Sequence, residues 1–180
     1  PSTLQIGDDI IVSGSIGKHG IAIVNLREEL GLSPLPKSDS APLIEEVDVL
    51  RNAVGPNIRA IRDATRGGVA AVLHEWADAS GLTLTIDESS IPLAPEVRGA
   101  CELLGIDPLH VANEGTMLIA IESNRTSEAI AALHSLPATS SAVRVGTVVA
   151  RGIAPVTLKR SVGPELPLDE PLGAQLPRIC

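Results

Sequence analysis

Hydrophobic positions recur along this chain at two periods. Apolar residues at helical spacing predict five helices, over 21–30, 43–54, 69–80, 95–104 and 126–136. Alternating or continuous apolar runs predict six strands, over 9–13, 58–63, 82–87, 116–121, 143–149 and 156–158. Glycine and proline separate most of these segments, as is typical of turns between short elements.

The order of these elements favours an α+β fold. Strands and helices alternate irregularly, so a mixed β-sheet covered by helices fits better than a strict doubly wound sheet. We predict one domain over residues 1–160. Residues 161–180 are rich in Pro and Gly and have no periodic apolar face, which predicts a flexible tail. Because the chain opens without Met, directly into a Gly-Asp turn and a strand, we expect it to begin part-way through a longer polypeptide.

Composition narrows the function classes. The 180 residues are 44% hydrophobic and 20% charged, with a net charge of −8 and one aromatic residue, Trp76. Negative charge and the lack of stacking rings argue against nucleic acid as a partner. No apolar run is long enough for a membrane span and no signal peptide is visible, so we expect a cytoplasmic protein without a membrane partner. Two cysteines and four histidines show no zinc-ligand spacing, and we predict no metal site.

The turn at residues 62–68 lies where a predicted strand leads into a helix. An anion would be favoured there, since a helix start carries free N–H groups and glycines let a phosphate approach the backbone. The alternative is a tight turn in which Thr65 caps the helix, and local evidence leaves both open. The turn matches neither the phosphate-loop nor the dinucleotide fingerprint. The candidate phosphate-binding residues are Asp63, Thr65, Arg66, Gly67 and Gly68.

Glu114 is an acid between apolar segments that should be interior. Reduced solvation raises the pKa of a carboxylate, which suits a general base near neutral pH. The alternative, favoured by the residues alone, is a turn residue at the start of a strand. Further candidates are His19, Asp39, Asn113 and Arg178, whereas we place His74 and His134 on the solvent faces of helices.

The two cysteines lie in different settings. Cys101 is in register with Val97 and Leu104 on a helix, so we predict a small buried hydrophobe. Cys180 is the last residue, at the end of the predicted tail, and Arg178 could support its thiolate. We therefore consider Cys180 a candidate reactive group, although a chance terminal cysteine would show the same local pattern.

Six segments together resemble the HypE family of hydrogenase maturation factors, within the superfamily of aminoimidazole ribonucleotide synthetase and selenophosphate synthetase. The Asp-x-Thr-x-Gly-Gly element at residues 63–68 is shared across that superfamily, whereas the terminal Pro-Arg-Ile-Cys is specific to this member. The segments span nearly the whole chain and cover residues 11–20, 38–43, 62–68, 97–105, 111–115 and 177–180.

The resemblance implies a reaction and a set of partners. A HypF-type carbamoyltransferase would load a carbamoyl group onto Cys180, and ATP with Mg²⁺ would drive its dehydration to a thiocyanate. The cyanide would pass to a HypC–HypD complex that builds the iron centre of nickel-iron hydrogenases. By resemblance Glu114 is the candidate base, and the turn 63–68 lines the phosphate side.

The resemblance also implies a limit. In this family an N-terminal half supplies most of the nucleotide site, a catalytic lysine and the contacts of a homodimer, and it has no counterpart in these residues. We therefore expect a folded C-terminal domain with little or no activity alone. Two alternatives are another ATP-using enzyme of the superfamily, such as a selenophosphate synthetase or a thiamine monophosphate kinase, and a non-catalytic module whose tail docks into a partner.

Overall fold

The structure is a computed structural model that describes residues 2–171. Seven strands are formed among these residues: β1 (Asp9–Val12), β2 (Ile58–Asp63), β3 (Thr83–Asp87), β4 (Met117–Ile121), β5 (Val143–Val149), β6 (Val156–Lys159) and β7 (Leu166–Pro167). The helices are α1 (Lys18–Arg27), α2 (Ile44–Val54), α3 (Gly68–Ser80), α4 (Pro95–Leu104) and α5 (Thr126–His134), with short 3-10 turns between elements.

All seven strands lie in one mixed sheet, in the order β2-β4-β1-β5-β3-β6-β7. Neighbouring strands are antiparallel except β3 and β6, which are parallel. The predicted α+β fold with a mixed sheet is therefore confirmed.

Alternation along the strands divides the core between the two faces of the sheet. Ile10, Val12 and Leu118 join the cluster that α3 covers, which contains the fully buried Trp76. Ile11 and Ile119, one position away, join the cluster beneath α2 and α5. Both faces are thus apolar, which explains why β1 and β4 read as continuous hydrophobic runs. A third cluster fills the space between α1 and α4.

Strand direction determines where the loops meet. Both β1 and β2 run antiparallel to β4, so their last residues lie at the same edge of the sheet as the first residue of β4. Three segments that are far apart in sequence come together at this edge: the loop 13–17, the turn 63–68 and the turn 113–116.

The structure departs from the sequence predictions at several places. Helix α1 begins at Lys18 rather than near residue 21, because Gly17 adopts a left-handed conformation (φ 79°) and forms its N-terminal boundary. His74 is buried rather than on a solvent face. The tail was predicted from residue 161, but Leu166–Pro167 pair with β6 and Leu168 is buried. Among the described residues, every helix is too short or too polar to be a membrane span.

Candidate functional site

Asn113 connects the three segments at this edge. Its side chain is fully buried. The Oδ1 atom accepts a hydrogen bond from the Gly17 N–H at 2.7 Å, and Nδ2 donates to Ala64 O at 3.0 Å and to Val111 O at 3.1 Å. One amide side chain therefore links the glycine loop before α1, the turn before α3 and the segment before β4. The candidate residue Asn113 thus lies at the centre of the site, where its side chain holds the three segments together.

The turn at residues 63–68 contains the start of α3. Gly67 is the residue at its N-terminal boundary, in a left-handed conformation (φ 75°), and no side chain caps the helix. Thr65 contributes its backbone carbonyl, which accepts from Gly68 N at 3.0 Å. Capping by the Thr65 side chain, the alternative considered above, is therefore wrong, and the helix start keeps the polarity that favours an anion.

Gly68 permits the segment 109–111 to approach this turn. The residue has φ 62°, and a Cβ there would lie 2.5 Å from Leu109 O and 2.6 Å from Val111 O. Any side chain would push the two segments apart. The second glycine of the Asp-x-Thr-x-Gly-Gly element is thus required by backbone packing, whatever else it does.

The charged residues of the turn lie at its surface. Asp63, the last residue of β2, is exposed and forms an ion pair with Arg62 at 3.6 Å. Arg62 also contacts Glu75 on α3 at 3.2 Å. Arg66 is exposed as well. Because these side chains are exposed, a charged ligand could replace their present ion-pair partners at little desolvation cost.

Asp39 holds the turn that carries Glu114. Its Oδ1 accepts from Glu114 N at 3.2 Å, and its Oδ2 accepts from Gly115 N at 3.1 Å and from Thr116 Oγ1 at 3.0 Å. In return, Ala41 N donates to Glu114 O at 3.3 Å. A Cβ at position 115 would collide with the backbone carbonyl of Asp39. One carboxylate therefore fixes the backbone on which the candidate base stands.

The Glu114 side chain is half-buried. Among residues 2–171 its carboxylate has no hydrogen-bond or ion-pair partner, although its backbone N–H is bound by Asp39. A half-buried carboxylate on a fixed backbone, with its oxygens uncommitted to these residues, has the properties expected of a proton acceptor.

His19 belongs to the same region. It lies in the first turn of α1, and its Nδ1 is 2.9 Å from Ser38 Oγ, which also accepts from Ser40 N at 3.0 Å. His19 thus links α1 to the loop that presents Asp39. The structure brings together His19, Asp39, Asn113, Glu114 and the turn 63–68, whereas Arg178 and Cys180 lie outside the described residues.

The end of the described chain reaches this site. Pro171 lies against Gly67: its Cβ and Cγ are 3.5 Å from where a Cβ on that glycine would be. This contact was not among the sequence predictions, nor were Ser38 and Thr116. Only Thr116 had a signal, as a hydroxyl residue directly after Glu114-Gly115 at the start of a buried strand.

Within residues 2–171, no group of three or more His, Cys, Asp or Glu side chains is arranged to hold a metal ion. These residues therefore do not fit an all-protein magnesium site.

Over residues 5–159 the chain matches the family described as AIR synthase related protein, C-terminal domain. The chain belongs to this family. Its similarity to HypE is also confirmed: the carbamoyl dehydratase HypE of Escherichia coli (strain K12) is 47% identical over 178 residues, which are 99% of this chain and 52% of that protein. The chain thus spans about half the length of the curated relatives it matches.

Solved structures of this family agree with the fold. The crystal structure of E. coli HypE superposes with a TM-score of 0.93 at 48% identity, over 99% of this chain and 54% of that one. A HypE in complex with ATP gives 0.91 at 36% identity, over 99% and 54%. The HypE of a HypE–HypF complex gives 0.90 at 36%, over 94% and 55%.

Proposed function

We propose that this chain is the C-terminal domain of an ATP-dependent carbamoyl dehydratase that converts an S-carbamoyl group on Cys180 to a thiocyanate. The observation that carries the proposal is the position of Pro171 against Gly67, in a chain 47% identical to a carbamoyl dehydratase over 99% of its length. The segment that bears Cys180 therefore starts beside the turn 63–68.

Chain length keeps the thiol within reach of the site. Residues 172–180 connect Pro171 to the Cys180 thiol, and nine residues span at most about 30 Å when extended. Cys180 can then reach both a separate loading enzyme and Glu114 of its own chain.

The reaction requires activation of a poor leaving group. The thiocarboxamide oxygen attacks the γ-phosphorus of ATP, ADP leaves, and one N–H proton is lost, which gives a phosphorylated imidate still bonded to sulfur. Loss of the second N–H proton forms the carbon–nitrogen triple bond as the carbon–oxygen bond breaks and phosphate leaves. The overall products are the S-cyanate, ADP and phosphate.

The residues of the site divide between these steps. Glu114 accepts a proton from nitrogen, and Asp39 fixes its backbone. The start of α3, uncapped by any side chain, favours the negative charge on the transferred phosphoryl group. ATP would be bound largely by a part of the protein outside this chain, together with any Mg²⁺, for which residues 2–171 offer no ligand cluster.

The partners follow from the same proposal. A HypF-type carbamoyltransferase loads Cys180, in line with the similarity to the HypE of a HypE–HypF complex. The product passes to a HypC–HypD complex for the iron centre of nickel-iron hydrogenases, and the full-length protein is a homodimer. This domain by itself has little or no activity.

Mass spectrometry of the full-length protein tests the proposal, after incubation with the carbamoyltransferase, carbamoyl phosphate and ATP. We expect a carbamoyl and then a cyano adduct on Cys180, neither of them in Cys180→Ala. Glu114→Gln should accumulate the carbamoyl form, whereas Glu128→Gln, at an exposed glutamate of α5 paired with Arg125, should turn over normally.

Other outcomes favour the alternatives. An unmodified Cys180 in a protein that still binds the partner tightly would indicate a docking module. ATP turnover without any adduct on Cys180 would indicate another reaction of the superfamily. A fully active Glu114→Gln variant would remove Glu114 from the mechanism.

A further inference from the structure

Two buried histidines outside this mechanism hold residues 166–171, which we call the strap. His74 on α3 places Nε2 3.1 Å from Leu168 O, and His110 places Nε2 3.0 Å from Asp169 O. A carbonyl oxygen can only accept, so both rings donate from Nε2. Their exposed fractions are 5% and 8%, so loss of either imidazole would leave a carbonyl of the strap without its buried partner.

The strap is also attached through its own backbone and one side chain. Leu166 and Pro167 pair with β6, and Leu168 N donates to Val156 O at 3.0 Å. The Leu168 side chain is buried in the cluster that contains Trp76. Strand pairing and burial attach residues 166–168, and the two imidazoles hold the consecutive carbonyls at 168 and 169.

These contacts direct the strap toward the site. After Asp169 the strap reaches Pro171, which lies against Gly67 at the start of α3. His74 is on that helix, and His110 lies between Leu109 and Val111, whose carbonyls approach Gly68. The two histidines thus stand on the elements that build the turn 63–68 and the segment leading to Glu114.

We infer that His74 and His110 are positioning residues that fix the point from which the arm carrying Cys180 departs. The inference rests on the proposed function and adds to it two residues that touch neither thiol nor nucleotide. Their contribution is geometric. By keeping the arm short and starting it at the site, they raise the effective concentration of the carried group there.

Tether length gives the expected magnitude. With the strap in place the arm comprises residues 172–180, which is nine residues. Loss of the two imidazoles leaves residues 166–168 attached through β6 and the buried Leu168, so the arm would then comprise residues 169–180, which is 12. Only full release of the strap would let the arm begin after Lys159, the last residue of β6, and comprise residues 160–180, which is 21. Effective concentration falls roughly as the −3/2 power of tether length. Loss of the two imidazoles alone therefore lowers it about 1.5-fold, and full release of the strap lowers it about fourfold.

The experiment compares variants of the full-length protein. His74→Ala/His110→Ala removes both donors, whereas His74→Gln/His110→Gln keeps an N–H group that can reach the same carbonyls. His134→Ala is the matched control, because His134 Nε2 is 2.8 Å from Ala142 O in the same kind of contact away from the strap. Each protein is loaded, and single-turnover dehydration, loading rate and amide hydrogen exchange over residues 166–171 are measured.

We expect the double Ala variant to dehydrate about 1.5- to fourfold more slowly, to exchange the strap amides faster, and to load at the wild-type rate. The KM for ATP should not change. The Gln variant should recover most of the rate, and His134→Ala should behave as wild type. The single variants His74→Ala and His110→Ala replace the double variant if it does not fold, with intermediate effects expected.

Several results would overturn the inference: unchanged dehydration in the Ala variants, loss of loading in parallel with dehydration, or slower dehydration without faster exchange of the strap. Failure of the proposed function looks different, because wild-type Cys180 would then carry no adduct. In that case amide hydrogen exchange still tests whether the two histidines anchor the strap. Unchanged exchange in the Ala variants would show that they do not.

Discussion

Gly17 donates its backbone N–H to Asn113 Oδ1 at 2.7 Å, across 96 residues of sequence. The same side chain donates to the backbone carbonyls of Ala64 and Val111, so one amide holds three chain segments in a fully buried position. The relative placement of the turn 63–68 and Glu114 therefore depends on a fully buried amide.

Asn113→Ala should lower the free energy of unfolding by about 2–4 kcal/mol, because it leaves a buried N–H and buried carbonyls without partners. Urea denaturation measures the change. Asn52→Ala, at an exposed position of α2, is the control and should change stability by no more than about 0.5 kcal/mol. Equal effects at both positions would contradict the structural role of Asn113.

Gly68→Ala and Gly99→Ala should have opposite effects. A Cβ at position 68 would lie 2.5 Å from Leu109 O on a backbone with positive φ, whereas a Cβ at position 99, inside α4, meets nothing within 4 Å. We expect Gly68→Ala to cost about 3 kcal/mol or more and Gly99→Ala to gain about 0.5–1 kcal/mol. Thermal unfolding of both variants checks the pair, and a stable Gly68→Ala protein would show that segment 109–111 lies elsewhere.

Asp39→Ala should reduce dehydration more than loading, because it removes the acceptor of three hydrogen bonds from the turn 114–116 and so releases the backbone of the candidate base. Asp39→Asn keeps one acceptor oxygen and should lie between wild type and Ala. Asp48→Ala, at an exposed position of α2, serves as the control. Single-turnover dehydration of the loaded full-length protein gives the comparison, and equal rates for all three Asp variants would exclude Asp39 as a positioning residue.

Cys101 should resist alkylation in the folded protein. Burial, with smaller contributions from Asp107 and Glu102, raises the pKa of its thiol from 9.0 to about 11, so at pH 8 only about one thiol in a thousand is ionised. Peptide mapping after iodoacetamide at pH 8 should find Cys101 unmodified in native protein and modified in urea. Modification without denaturant would refute the burial.

The same raised pKa makes stability depend on pH. The folded state holds this proton more tightly than the unfolded state, so the full contribution is present below about pH 9 and is lost as the pH rises toward about 11. Cys101→Ser or Cys101→Ala should flatten that alkaline decline. Urea midpoints between pH 8 and 11 measure it.

The sequence by itself determined the existence of the five helices, six of the seven strands formed among residues 2–171, and the fold class. The bounds of β2 and α4 match their predictions because clear periodicity and a Pro at the helix start leave little choice. It also determined which residues stand in the turn 63–68, because they are contiguous and the turn lies where a strand meets a helix.

Only the tertiary structure decided which distant groups meet. Asp39 and the turn 114–116 are separated by 75 to 77 residues, and His74 is buried and hydrogen-bonded to Leu168 of the strap, 94 residues on. Periodicity indicates which face of its own helix or strand a residue occupies. Contacts between loops depend instead on strand order and register, which no local pattern encodes. For that reason Glu114 looked like a turn residue from its neighbours alone, and its link to Asp39 became apparent only in the tertiary structure.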